Sequence, residues 1–197
     1  MRAAMGTLLA SILFLLGIST GVPLPVSGAE QESAPPGSID FVGRNMLMTA
    51  KGTFHRWRFT RVDIDREHPE RSVVEVEVDI ASIDTGIERR DAHLRTADFF
   101  EVETWPMASV RITDASPDGE SDAGNPRYRA DFLIRIRDVE KTLPGTFEVV
   151  AEKPPRVEGE LVLNRTDFGV GEPHSRWNPT SIREEIPVRF SVQIPED

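Results

Sequence analysis

The chain has 197 residues, with 33 Asp and Glu against 23 Lys and Arg, four His and no Cys, for a formal charge of −10. An acidic protein repels the phosphate backbone, which excludes nucleic acid as a partner, and taken as a whole it gains nothing from an anionic membrane surface. The absence of Cys excludes disulfides, a thiol nucleophile and a thioether lipid anchor.

The N-terminus has the layout of a secretory leader. Arg2 gives a positive start, Leu8 to Ile18 an apolar run, and Ser27-Gly28-Ala29 the small residues at the positions a signal peptidase reads. The rival reading is a retained membrane anchor. It is opposed by an apolar run too short to span a bilayer and by Pro23 and Pro25 close behind it. Cleavage after Ala29 is therefore expected, with no stable membrane insertion afterwards and a periplasmic or extracellular location. Loss of Arg2 takes the formal charge from −10 to −11. Residues 30–37 read as a flexible tail, and residues 38–197 suffice for one domain with its own core.

From there the chain alternates. Ile39, Phe41 and Val42 open a first strand, and Gly52 to Asp65 is a long second one with two registers. Phe54, Val62 and Ile64 share one parity while Trp57 and Phe59 hold the other, so a bulge between them is expected. Val74, Val76, Val78 and Ile80 alternate with Glu75, Glu77 and Asp79, the pattern of a strand with one apolar face. Thr85 to Phe100 loses that period and predicts a short helix near Glu88–Ala97, with Thr85 as its N-cap. Met107–Thr113 reads as a strand and Ser116–Pro126 as a loop tip. Ala130, Phe132, Ile134 and Ile136 then alternate with residues that include Arg129, Arg135 and Arg137. Thr146–Ala151, Val157–Leu163 and Val188–Ile194 complete a meander. About eight alternating strands with one helical insertion predict an all-β antiparallel sandwich or barrel, and edge economy favours a closed barrel. Such a barrel either fills itself with side chains or holds one ligand, and periodicity does not choose between them.

The motif order adds a second argument. A strand gives way to Ser82-Ile83-Asp84-Thr85-Gly86, then to Arg90-Asp91-Ala92-His93-Leu94-Arg95 and Asp98-Phe99-Phe100. A late Arg165-Thr166-Asp167-Phe168-Gly169-Val170-Gly171 follows another alternating strand. In this order and at these spacings the chain resembles the YceI-like family of polyisoprenoid-binding proteins from about Ser38 to Ile194. The resemblance implies an elongated antiparallel eight-stranded barrel, similar to a lipocalin, around a pocket for a long-chain lipid. One departure is Arg137-Asp138-Val139-Glu140-Lys141, where the family usually has a turn with Gly-Val-Thr-Lys-Pro; Asp138 stands for the glycine and must tolerate left-handed backbone.

No catalytic constellation stands out. His55, His68, His93 and His174 are scattered, without metal-ligand spacing, and there is no Gly-x-Ser-x-Gly elbow. The kinase-like letters at Arg165–Gly169 lack a Gly-rich loop and read as a turn. No cofactor and no enzymatic activity are expected. By parity Trp57, Phe132, Ile134, Leu161, Leu163 and Phe190 point inward, and Phe54, Phe59, Ile136 and Phe168 join them as candidate cavity lining. Phe99 and Phe100, with Trp105 and Pro106, act either as a lid on a lipid tail or as an anchor for the insertion. Arg90 and His93, in a basic cluster with Arg89 and Arg95, are head-group candidates for a pyrophosphate or carboxylate at a cavity mouth. The competing reading has them brace the helix. The ligand expected from the resemblance is a polyisoprenoid, an isoprenoid quinone or a fatty-acyl lipid, with a homodimer compatible. The alternative is a filled barrel serving as an interaction module of the cell envelope, beside a membrane redox partner, and cavity volume discriminates the two.

Overall fold

The computed structural model describes residues 35–195, so the leader at 1–29 and most of the tail at 30–37 lie outside the described residues. Among the described residues there are ten strands: β1 (Gly37–Arg44), β2 (Thr49–Phe54), β3 (Trp57–Asp63), β4 (Val73–Asp79), β5 (Ile83–Asp84), β6 (Met107–Glu120), β7 (Pro126–Ile136), β8 (Val139–Glu152), β9 (Pro155–Asn164) and β10 (Glu185–Gln193). One α-helix, α1 (Glu88–Leu94), interrupts them. All neighbours pair antiparallel, in the order β3-β4-β6-β7-β8-β9-β10-β1-β2-β5.

Ten segments reduce to an eight-stranded ring because two long strands are each bent once. β2 and β3 are halves of one strand with a corner at His55-Arg56, and β4 and β5 are halves of another with a 3₁₀ turn at Ile80–Ser82. The two bends face each other and stay paired. His55 N donates to Ser82 O (3.3 Å), Asp79 N to Arg56 O (2.9 Å), and Arg56 N to Ser82 Oγ (3.0 Å). With β2 bonded to β1 and β3 bonded to β4, the sheet closes on itself. Closure removes the open edges that a curled sheet would leave.

The two registers read in residues 52–65 are reconciled by two irregularities. The corner shifts Trp57 relative to Phe54, and the ladder slips again between Phe59 and Arg61. The extra residue, Thr60, lets Val62 return to the inner side.

Three expectations need correction. The helix ends at Leu94 rather than Ala97, and its N-cap position is Ile87, which makes no side-chain cap bond. Thr85 instead bonds to Asp91: its N–H (3.0 Å) and its hydroxyl both donate to Asp91 Oδ1. Asp91 is buried, so this partnership satisfies a carboxylate that would otherwise be costly to bury. Second, the loop tip shrinks to residues 121–125, because β6 runs on to Glu120 through Pro117 and Gly119. Register shifts between Thr113 and Ser116 and between Pro117 and Glu120 absorb those residues. Third, the left-handed residue in the β7–β8 turn is Arg137 (φ 57°), not Asp138. β8 also starts at Val139 and carries Pro144. Residues 139–145 pair only with β7, and that missing second neighbour is why a proline is tolerated.

The barrel has two unlike ends. The mouth is formed by the β3–β4 turn, the β6–β7 and β8–β9 hairpins and the end of β10. The base is formed by the β1–β2 hairpin, residues 85–106, the β7–β8 turn and the β9–β10 loop. At the base, β8 and β9 part company, and the 3₁₀ turn Arg165–Phe168 fills the gap. Phe168 is almost wholly buried there against Ile134, Leu161 and Val170.

Candidate ligand cavity

Inward side chains that meet no partner across the axis leave a cavity. Its deep chamber, about 150 Å³, is lined by residues that include Trp57, Phe59, Val76, Val110, Phe132, Phe190 and Val192. It shares Ile64, Val74, Ile112, Phe147, Val157 and Ile194 with an outer chamber of about 670 Å³. Every residue lining the deep chamber is apolar. Polar groups come in only at the outer chamber, through Asp65, Arg66, Ser72, Tyr128 and Glu152.

The wall is fixed by close packing around its edges. The ring of Phe132 lies over Gly145 and that of Phe190 over Gly159, where an added Cβ would sit 2.6 and 2.4 Å from ring carbons. Glycine at these two positions lets each ring lie flat across the neighbouring strand. Trp57 meets Phe59 edge-on with ring centroids 5.4 Å apart, and its buried Nε1 has no hydrogen-bond partner. Tyr128 stacks on Phe147 at the outer chamber, 5.4 Å between centroids.

The predicted lining residues divide by height along the barrel. Trp57, Phe59, Phe132 and Phe190 line the deep chamber. Ile134, Leu161 and Phe168 point inward too, but lie nearer the base, where they pack on one another with Phe99, Phe100, Ile136 and Leu163 around them. Phe54 packs against the Trp57 cluster and tilts onto Phe41, 5.4 Å between centroids. Phe99 and Phe100 thus anchor the insertion at the base. Sequence reasoning did not single out Val110, Phe147 or Val157 as lining, although their strands alternate. It also missed the polar rim, which sits on turns that carry no periodic signal.

Arg90 and His93 lie at the base, the end opposite the mouth. The Arg90 guanidinium is occupied locally: Nε donates to Thr85 Oγ1 and Nη2 to Thr85 O, both at 2.7 Å. His93 sits edge-on to Phe99, 4.9 Å between centroids, with Asp98 Oδ2 at 3.7 Å. Arg95 donates to Ala81 O and Ile83 O, each at 2.9 Å. Two further arginines close the base. Arg137 reaches Gly169 O (2.6 Å) and Glu101 Oε2 (2.5 Å). Buried Arg165 donates to the carbonyls of Val170, Glu172, Ile182 and Arg183 at 2.6–3.1 Å. Burial lowers its pKa and the Glu184 carboxylate opposes that shift; an arginine starts so high that it stays charged. These residues hold the β9–β10 loop and the insertion over the base. The other three histidines make local contacts: His55 with Asp84 (2.9 Å), His68 with Glu70 (3.4 Å) and His174 with Ser181 O (3.2 Å). The His55 hydrogen bond holds the Asp84 carboxyl below its ordinary value.

Comparison with known proteins places this architecture. The YceI-like domain matches residues 34–194. Protein YceI of Escherichia coli O157:H7 is 28% identical over 119 residues, 60% of either chain, so the match spans less than two thirds of that relative's length. A UPF0312 protein of Pseudomonas savastanoi pv. phaseolicola is 28% identical over 144 residues, 71% of either chain. Among solved structures, Burkholderia cenocepacia BcnA superposes with a TM-score of 0.68 at 19% identity, covering 81% of this chain and 96% of its own. A polyisoprenoid binding domain from Saccharophagus degradans, implicated in plant cell wall breakdown, gives 0.59 at 15% identity over 83% and 97%. At these identities the structural likeness speaks for the barrel, and the match over residues 34–194 speaks for the lineage. The chain belongs to the YceI-like domain family.

Proposed function

We propose that the protein is an exported, non-enzymatic carrier that takes one long-chain amphiphile out of water and into the barrel. The ligand class is a polyisoprenoid, with an isoprenoid quinone or a fatty-acyl lipid as chemically equivalent tails. The carrying observation is the lining: a wholly apolar deep chamber opening into a wider chamber with polar residues only at its rim. A hydrocarbon tail offers nothing but apolar surface, and each methylene buried contributes about 0.8 kcal/mol. The tail lies in the deep chamber and the head group at the rim, beside Arg66, Ser72 and Glu152. Polyisoprenoid binding by the S. degradans domain of the same fold supports this class. An open cavity also supports a carrier over a filled-barrel module, and a deep chamber lined by apolar side chains alone supports binding of a hydrocarbon tail. Export to the periplasm or beyond rests on the leader-like first 29 residues.

Native mass spectrometry after gentle purification tests the reading. A bound mass, or uptake of a long-chain isoprenoid alcohol after delipidation, is the expected result. A chain that is always empty and takes up no isoprenoid, quinone or fatty-acyl lipid on reloading overturns it.

The position of Arg90 gives a sharper expectation. Arg90→Ala removes two charge-assisted bonds to Thr85, each contributing about 1.5–3 kcal/mol. The melting temperature should fall by roughly 6–24 °C, as about 1 kcal/mol moves a domain of this size by about 2–4 °C. Affinities for a pyrophosphate-bearing isoprenoid and for the matching neutral alcohol should change alike, because both ligands share the folded population. A selective loss for the pyrophosphate, with an unchanged melting curve, would restore Arg90 as a head-group contact.

A further inference from the structure

At the base, the β1–β2 hairpin and the β9–β10 loop form a single tip. Asn45 pins the hairpin, its Oδ1 accepting from Leu47 N and Met48 N at 2.8 Å. Asn178 does the same for the loop, accepting from Thr180 N at 3.0 Å and Thr180 Oγ1 at 2.7 Å. The two are joined: Met46 N donates to Pro179 O and Asn45 Nδ2 to Thr180 O, both at 3.3 Å, and Arg183 N to Arg44 O at 2.8 Å.

What this braced frame presents to solvent is apolar. Met46, Leu47, Met48 and Trp177 are 73%, 68%, 57% and 89% exposed. Single exposed apolar residues need no explanation, but three in a row at a hairpin tip beside an exposed Trp form a patch that marks an interaction site.

The two segments that make the tip are themselves basic in an acidic chain. Residues 44–51 and 173–183 carry Arg44, Lys51, Arg176 and Arg183 and no acid, in a chain of formal charge −10; the flanking acids are Glu172, Glu184 and Glu185, of which Glu184 is engaged by His174 N at 3.1 Å. Among the described residues none of these four cations has a carboxylate within ion-pairing distance, although twelve other ion pairs form. A second copy of the tip would bring four cations against four cations. An apolar wedge with Trp at its end and Arg and Lys around it fits a water–lipid boundary, where Trp sits at head-group level and cations meet phosphate.

We propose that this tip docks on an anionic lipid bilayer, inserting Met46, Leu47, Met48 and Trp177 and setting Arg44, Lys51, Arg176 and Arg183 against the phosphates. The net charge of the protein does not oppose this, because fields from more distant carboxylates are screened beyond about 8 Å at physiological salt. Docking by the base leaves the mouth facing away from that membrane. The inference does not rest on what fills the cavity, since the tip lies at the other end of the barrel.

Trp177 reports on the contact, because Trp57 is buried in the wall and Trp105 is half-buried. The protein, isolated as the cell processes it, is titrated with phosphatidylglycerol vesicles and with phosphatidylcholine vesicles. Trp177 emission should shift to shorter wavelength with the first and much less with the second, and Trp177→Phe should abolish the shift. Leu47→Glu should weaken the interaction tenfold or more, and Arg44→Gln or Arg176→Gln roughly fivefold each. All these residues are exposed, so melting curves should match the parent. An absent Trp177 shift on phosphatidylglycerol at low salt overturns the proposal, as does equal response to both lipids or indifference to Leu47→Glu. A shift that grows with protein concentration in the absence of vesicles also overturns it, in favour of self-association.

Discussion

Val157→Trp should abolish lipid uptake while leaving a folded barrel. Val157 borders both chambers and is half-buried, so its side chain stands where a tail must pass. It lies opposite Val149 on β8 and Val192 on β10, and an indole there spans the junction. Aromatic side chains suit strands, and the new ring enters open space rather than a filled core. The stability change should stay within the 1–3 kcal/mol typical of overpacking. Ligand capacity measured by reloading and native mass spectrometry should fall by 100-fold or so, about 2.7 kcal/mol. Val162→Trp is the control. Val162 belongs to the same strand but is half-exposed on the outer face, and uptake should be unchanged. Should Val157→Trp load as well as the parent, the lipid does not occupy this cavity.

This pair of variants also shows what alternation carries and what it does not. Parity in β4, β7, β9 and β10 places the inward side chains correctly, because a strand with one wet face has only two registers. It does not say what an inward side chain meets. Phe132 and Ile134 are two residues apart on the same face of β7 and share one core cluster, yet only Phe132 also borders the cavity. Height along the barrel axis decides, and that depends on where segments distant in sequence fill the lumen. The basic cluster at Arg89–Arg95 was legible as a cluster. That it braces the base followed only from Thr85 folding back onto Asp91 and Arg90. The corner at His55-Arg56 and the turn at Ile80–Ser82 explain the ambiguous registers, because each bend shifts the pairing by a count that periodicity cannot supply. The rim residues Asp65, Arg66 and Glu152 were silent for a different reason: turns carry no period, and charges there look like any solvated surface.

The register itself yields the sharpest stability contrast. Ile134→Asp should leave no folded protein near neutral pH, whereas Arg135→Asp should fold almost normally. Ile134 is 4% exposed, opposite Val110 on β6 and packed in the cluster of Leu161 and Phe168. Its other cross-strand neighbour, Lys141 on β8, is already held by Asp167 at 3.1 Å, so a carboxylate buried at 134 is desolvated with no free cation to claim. Loss of the isoleucine alone costs about 2–5 kcal/mol, and burying an unpaired charge adds several more. Together these consume most of the roughly 5–15 kcal/mol that holds a domain of this size. Ile134→Ala isolates the first part, and it should fold with a lowered denaturation midpoint. Arg135 is exposed, with Ser109 and Glu140 as its cross-strand neighbours. An Asp there loses a favourable pair and gains a like-charge one with Glu140, a change of about 1 kcal/mol or less. Urea titrations of the three variants compare them directly. The opposite ranking, with Arg135→Asp unfolded and Ile134→Asp stable, would mean that β7 is displaced by one residue, turning every inward side chain of that strand, Phe132 included, to water.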